Sequence, residues 1–213
     1  MSDAPARSLL VVSGGLSQPS STRLLADRLT AAVDRHAREA GVEPRVEVIE
    51  LRDHAQDLVN NLLTGFPSPR LQAAIDAVIA ADGLIAVTPI FSASYSGLFK
   101  MFFDVIDKDG LAGKPSLIAA TGGTARHSLA IEHAIRPLFA YLNAAVVATG
   151  VYATADDWGQ AGLAADGRLV ERIDRAARGL SEAMIARPHQ AAVDAFDAPI
   201  PFEQLLRSDP SPD

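Results

Sequence analysis

Five apolar runs of strand length alternate with stretches of helical periodicity along this chain, and that alternation admits few folds. Ser8 to Val12, Val46 to Leu51, Gly83 to Thr88, Ser116 to Ala120 and Ala144 to Thr149 read as strands. Thr22 to Ala40, Pro69 to Ala81, Ser96 to Ile106, His127 to Asn143 and Arg168 to Ala186 read as helices. Helices that return the chain between parallel strands cover both faces of a sheet, so its strands must be apolar on both sides. Four of the five strands meet that demand. The second carries Arg45, Glu47 and Glu50 among its apolar residues and suits an edge. The expectation is an α/β three-layer sandwich with a five-stranded parallel sheet in the order 2-1-3-4-5, which puts the second strand at an edge.

Punctuation along the chain refines this reading. Gly41 stops the first helix, Pro69 begins another, Gly110 and Gly113-Lys114-Pro115 mark the path into the fourth strand, and Asp166-Gly167 makes a turn before the last helix. Pro137 should kink the fourth helix or start a new one. Arg52 to Ser68 reads as a loop with a helical piece that covers a site or a partner surface. Prolines 199, 201, 210 and 212 follow Arg187-Pro188, so residues 1–186 are expected to form one domain and 187–213 an irregular tail.

Composition narrows the function classes. With 213 residues, 48% of them hydrophobic, the chain can bury a sizeable core. A net charge of −7 with no basic cluster argues against a nucleic-acid surface. The absence of cysteine excludes disulfides, thiolate ligands and thiol nucleophiles. No window reaches the ~18 apolar residues of a membrane span, and Met1 to Arg7 has no apolar signal segment, so a cytoplasmic address is expected.

Three polar loops fall at the carboxyl ends of predicted strands, where ligands of such sheets bind. Loop one, Ser13 to Arg23, lies between a strand and a helix start, where backbone N–H groups, hydroxyls and the positive end of the helix dipole converge. That suits a phosphate. Neither G-x-x-x-x-G-K-[ST] nor G-x-G-x-x-G is present, so a mononucleotide is favoured over a nucleoside triphosphate or a dinucleotide fold; an ordinary helix N-cap is the plain alternative. Loop two, Thr88 to Gly97, follows strand three, and loop three, Thr121 to His127, follows strand four.

Taken together, Ser13-Gly14 through Thr22, Thr88-Pro89 through Lys100, and Ala120 through Thr124 give the chain a form that resembles the NAD(P)H-dependent FMN reductases of the flavodoxin-like superfamily, particularly the reductase partners of two-component flavin monooxygenases. The resemblance covers roughly residues 8 to 150, and the match around loop two is its most specific part. It implies that Ser13, Ser20, Ser21 and Thr22 hold the FMN phosphate, that Pro89, Ile90, Phe91, Ser92 and Ser94 lie along the isoalloxazine, and that Thr121, Gly122, Gly123 and Thr124 line its other side. It implies NADPH or NADH as co-substrate, hydride transfer to FMN without a side-chain acid or base, a homodimer or homotetramer, and delivery of reduced FMN to a monooxygenase. Two departures stand out: Phe91-Ser92 replaces a frequent Tyr-Lys, and His133 stands where alkanesulfonate-type reductases have a tyrosine. A flavodoxin-type electron carrier and an FMN-dependent quinone, azo or metal-oxyanion reductase are the alternatives. A dehydrogenase using Glu50 on a ribose is the weakest option.

Other features get plainer readings. Leu98-Phe99-Lys100-Met101-Phe102-Phe103 exceeds one buried stripe and is expected to meet another subunit in part. His127 reads as an ordinary helix-start residue, and His36, His54 and His189 lack ligand spacing. Asp156-Asp157-Trp158 reads as a solvated loop or a subunit contact through Trp158, and Arg23 either assists the phosphate or points outward.

Overall fold

The computed structural model describes residues 6–158 and 167–188. In chain order its elements are β1 (Ala6–Ser13), α1 (Ser21–Glu39), β2 (Glu43–Glu50), α2 (Ala55–Thr64), α3 (Pro69–Ala80), β3 (Gly83–Phe91), β4 (Ser94–Tyr95), α4 (Gly97–Asp104), β5 (Pro115–Gly122), α5 (Arg136–Tyr141), β6 (Ala145–Val146), β7 (Val151–Thr154) and α6 (Gly167–Ala186). The sheet runs β2-β1-β3-β5-β6, with β7 also on β5 and every pair parallel except the hairpin of β3 with β4. The fold is flavodoxin-like, and β2 occupies the edge its charges foretold.

Alternation along the strands divides the core in two. Leu10, Val12, Leu84, Ala86, Ile118 and Ala120 face α2 to α5, whereas Leu9, Val11, Ile85, Val87, Leu117 and Ala119 face α1 and α6. Side chains of successive strand residues point to opposite faces, so a one-residue slip of register would exchange the two sets. Each large side chain removed from water here contributes about 1.5–3 kcal/mol before entropy is counted.

Several sequence expectations need correction. The fifth strand, read as Ala144 to Thr149, is interrupted: Pro115 and Ser116 pair with Ala145 and Val146, and pairing resumes only at Ala119 with Val151. Four residues, 147–150, thus sit opposite two of β5, and Gly150 is packed so closely that a Cβ would lie 2.5 Å from Ile131 Cγ2. The fourth helix is also broken, into a 3-10 turn at Ala125–His127, a π turn at Ile131–Ile135 and α5, whose first turn contains Pro137. Proline restarts the helix there because its missing N–H is an orphan at a helix start anyway. Arg52 to Ser68 is more regular than expected: α2 ends at Gly65 with φ 79°, and Ser68 caps α3 by accepting the Leu71 N–H at 3.2 Å.

The apolar run on α4 serves the monomer's own core. Phe99, Phe102 and Phe103 are fully buried, with the Phe103 ring 4.7 Å from Phe99 and 4.9 Å from Phe139, and Leu98 and Met101 pack partly against the same cluster. Trp158 is buried on the α1–α6 face, so neither a solvated loop nor a subunit contact describes it. Among the exposed apolar side chains, four group on α2 and just beyond it: Val59, Leu62, Leu63 and Phe66. No described helix is long and apolar enough to cross a membrane. The tail lies outside the described residues from His189 onward, as does Asp166.

Lys114, at the entry to β5, is a buried cation whose Nζ donates to the carbonyls of Ile79 and Ala81 at the end of α3. Burial pushes its pKa down to about 8, and Arg187 adds to the effect. The folded chain therefore releases this proton at a lower pH than the unfolded chain does, so stability gains from this group as pH rises from about 8 towards the ordinary lysine range. Chemical denaturation of Lys114→Met across that range should show a smaller rise with pH than the wild type shows; identical slopes would contradict the assignment.

Candidate functional site

Loop one begins where β1 ends. Ser13 is wholly buried and its Oγ has no hydrogen-bond partner within the protein. The next N–H, of Gly14, donates to the Val87 carbonyl at 2.8 Å and fastens the loop to β3. At Gly15 the chain doubles back on the start of α1 so tightly that a Cβ would lie 2.2 Å from Ser20 Oγ and 3.2 Å from Thr22 Cβ. Ser20 is the N-cap of α1, its Oγ accepting the Arg23 N–H at 3.2 Å. The N–H groups of Ser21 and Thr22, first in the helix, have no acceptor within the helix itself. Ser21 is exposed.

Two residues expected at the ligand are joined to each other. Thr22 and Thr121 are both buried, and their hydroxyl oxygens lie 2.8 Å apart, which ties the first turn of α1 to the end of β5. Each hydroxyl keeps acceptor capacity beyond this bond, but neither side chain is open to solvent.

Charged residues brace the loop from the β2 side. Arg23 spans Asp27 at 2.7 Å and Glu50 at 2.6 Å, and these two carboxylates hold its pKa above the usual arginine value. Glu50 is therefore bound through Oε1 to a cation at the mouth of loop one, while its Oε2 is buried without a hydrogen-bond partner. Arg52 donates to the Ser17 carbonyl at 2.8 Å. Sequence reading missed Arg52; it sits in a 3-10 turn (Leu51–His54) with no local signal of a long-range contact.

Loop two is a tight β-hairpin. Pro89 is buried and level with Thr121 in the β3–β5 register, Ile90 faces Tyr95, and Phe91 faces Ser94. The two turn residues, Ser92 and Ala93, have φ of 48° and 68°, the backbone of a type I′ turn, though neither is glycine or asparagine. The turn leaves Phe91 48% exposed. Thr88 Oγ1 accepts the Ser96 N–H at 3.1 Å and Ser96 caps α4, so the far side of the hairpin is anchored in the core.

Loop three is pinned from β7. The Tyr152 hydroxyl donates to the Thr124 carbonyl at 2.8 Å, and burial, with a contribution from Asp157, raises its pKa so that the phenol keeps its proton. Gly122 leaves room for that hydroxyl: a Cβ there would lie 2.0 Å from Tyr152 Oη. Gly123 has open space around it, and Gly123 and Thr124 are exposed. Asp157, one of the paired carboxylates, accepts from the Thr154 N–H at 2.7 Å and from the Thr154 hydroxyl at 2.8 Å, a structural cap. His127 and His133 are exposed, the latter on the π turn. No group of three or more His, Cys, Asp or Glu among the described residues could hold a metal ion.

The arrangement fits an FMN. A dianionic phosphate needs converging donors at a helix N-terminus, and loop one has a capped helix start, serine hydroxyls and a buried Ser13 oxygen without a partner. The glycines of loop three permit close approach of a flat ring to backbone N–H groups.

Comparison with known proteins agrees with this chemistry. Residues 7–159 match the family model described as NADPH-dependent FMN reductase. An FMN reductase (NADPH) of Pseudomonas aeruginosa is 39% identical over 150 residues, covering 70% of this chain and 78% of that protein. The NADH-dependent FMN reductase SfnF of Pseudomonas putida is 38% identical over 168 residues, covering 78% of this chain and 87% of that one. Among solved structures, an oxidoreductase from Corynebacterium diphtheriae superimposes with a TM-score of 0.81 at 43% identity, covering 87% of this chain and all of that one. The apo form of the NADH:FMN oxidoreductase EmoB gives 0.73 at 29% identity, over 85% of this chain and 92% of that one. The loops that could hold a flavin phosphate and ring all lie within the matched residues, and the chain belongs to the NADPH-dependent FMN reductase family.

Proposed function

We infer that this protein is an NAD(P)H-dependent FMN reductase that binds FMN across the three loops. The observation that carries the reading is the buried Ser13 hydroxyl, without a partner, at the foot of a capped helix N-terminus. Ser13, Ser20 and Ser21 with the N–H groups of Ser21 and Thr22 hold the phosphate, while the Thr22–Thr121 hydroxyl pair keeps the helix start against β5. Pro89, Ile90, Phe91, Ser92 and Ser94 lie along one side of the ring, and Gly122, Gly123 and Thr124 along the other, beside Thr121. The bound flavin supplies a hydride acceptor for a nicotinamide nucleotide. Donors fixed in place before reaction stabilise negative charge at a ring edge without reorganising, so positioning is the main contribution of the protein.

Purified protein given NADH or NADPH should oxidise it in proportion to added FMN. A flavodoxin-type carrier would need a separate reductase, so no turnover with either nucleotide would overturn the reading. Reduced FMN then passes in the cytoplasm to a flavin-dependent monooxygenase, a partner that the resemblance to the reductases of two-component systems implies. His133→Ala should change FMN retention or turnover while leaving the fold intact, and unchanged values would remove this residue from the site.

The working species is a homodimer or homotetramer. Support comes from the apolar face of α2, where Leu63 is 81% and the nearby Phe66 80% exposed. Such side chains grouped on one surface are costly to leave in water and typical of subunit contacts. Light scattering should give a multiple of the 22.4 kDa chain mass, reduced by Leu63→Asp with Phe66→Asp. A wild-type mass of one chain at micromolar concentration would contradict assembly.

A further inference from the structure

The charged residues around loop one meet at a single carboxylate. Glu50 ends β2 and stands level with Ser13 in the β1–β2 register. Its side chain is only 10% exposed, and its Oε1 accepts from Arg23, on the first turn of α1, at 2.6 Å. Arg52, in the 3-10 turn that follows β2, approaches the same oxygen at 3.8 Å. Each arginine also reaches loop one. The Arg52 guanidinium donates to the Ser17 carbonyl at 2.8 Å, and the Arg23 backbone N–H donates to Ser20 Oγ at 3.2 Å. One carboxylate thus joins two limbs, the first ending at the middle of the loop and the second at its far end.

The other carboxylates paired with these cations do not join elements. Asp27 lies one turn along α1 from Arg23 at 2.7 Å, and Asp53 adjoins Arg52 in the same turn at 3.9 Å; both are more than half exposed. Exposed pairs of this kind contribute little, whereas losing one partner of a buried pair is costly. Glu50 also has the same sign as a phosphate, so its field alone opposes a phosphate at loop one. A fixing role offsets that repulsion. We propose that Glu50 is a positioning residue for FMN, holding Ser17 through Arg52 and Ser20 through Arg23 so that loop one keeps its phosphate-binding form, a role that rests on the reading of loop one as the phosphate site.

The sign of the effect separates positioning from charge. Removing a negative charge near a phosphate dianion tightens its binding if nothing else changes. Positioning predicts the opposite for Glu50→Gln: FMN weakened by about fivefold and riboflavin by less than about twofold, since the disorder falls on charge-assisted phosphate contacts. Arg52→Lys keeps the charge but not the planar fork that reaches Ser17 and Glu50 together, so it should show a similar selective loss, and it carries the comparison if Glu50→Gln fails to fold. Hydrogen exchange on the flavin-free protein reads the loop directly. The amides of Gly14, Arg23 and Leu24, bonded to Val87, Ser20 Oγ and the Ser20 carbonyl, should exchange faster in both variants while those within β1 and β3 keep their protection. Tighter or unchanged FMN binding in folded Glu50→Gln, an equal loss for both flavins, or wild-type exchange at these amides in both variants would overturn the proposal. Equal affinity of the wild type for FMN and riboflavin would overturn the phosphate reading instead, and the exchange rates would still decide whether Glu50 holds the loop.

Discussion

Replacing Gly122 with alanine is expected to lower the melting temperature and to weaken FMN binding by more than tenfold. The added Cβ would lie 2.0 Å from Tyr152 Oη and 3.0 Å from its Cζ, distances that real side chains do not tolerate. Tyr152 cannot simply swing away, since its ring is buried and its hydroxyl is bound to the Thr124 carbonyl. Either the ring or the loop must move, at a cost of about 1–3 kcal/mol for an overpacked site, and displacement of the loop would misplace the backbone donors that we assign to the flavin ring. Tyr152→Phe in the same chain removes the atom in closest conflict. The double variant should regain part of the lost stability while its FMN affinity stays low, because the Thr124 carbonyl has lost the donor that positions it. Thermal unfolding and flavin titration read the two effects separately, and wild-type FMN affinity in folded Gly122→Ala would remove loop three from the site.

How much of this was legible in the residues depends on the range of the interactions. The sheet was readable because strand parity, apolar content and the charges of Arg45 and Glu47 are local properties that decide centre or edge. Helix limits were readable where a glycine or a proline marks them, as at Gly41 and Pro69. The three loops followed from the same pattern, since they begin where strands end. The split between β6 and β7 was not readable: Val147 to Thr149 is as apolar as the strand it interrupts, and only the close approach of Gly150 to Ile131 gives a reason for the break. The β3–β4 hairpin escaped because Ser92 and Ala93 adopt positive φ without the Asn-Gly signature of such turns. The apolar run of α4 could equally have faced a neighbour or the interior, and three phenylalanines in one monomeric cluster decided for the interior. Thr22 and Thr121 each looked like ligand residues from their loops alone; their mutual bond joins positions 99 residues apart.

That bond also changes which substitutions test the phosphate site. Thr22→Ala would unfasten α1 from β5, so the informative variant is Ser20→Ala with Ser21→Ala, which leaves the Thr22–Thr121 pair intact. Hydroxyls that donate to a phosphate dianion form charge-assisted hydrogen bonds contributing roughly 1.5–3 kcal/mol each. Riboflavin has the same ring without the phosphate and gains nothing from them. Loss of the Ser20 cap alone would cost about 1 kcal/mol of helix stability and would act on both flavins alike. Fluorescence titration of the wild type and the double variant with FMN and with riboflavin is thus the most direct measurement. Wild type should prefer FMN, and the variant should bind FMN at least about tenfold more weakly, a change of about 1.4 kcal/mol, with riboflavin binding nearly unchanged. An undiminished preference for FMN in the folded variant would contradict the account and place the phosphate away from loop one.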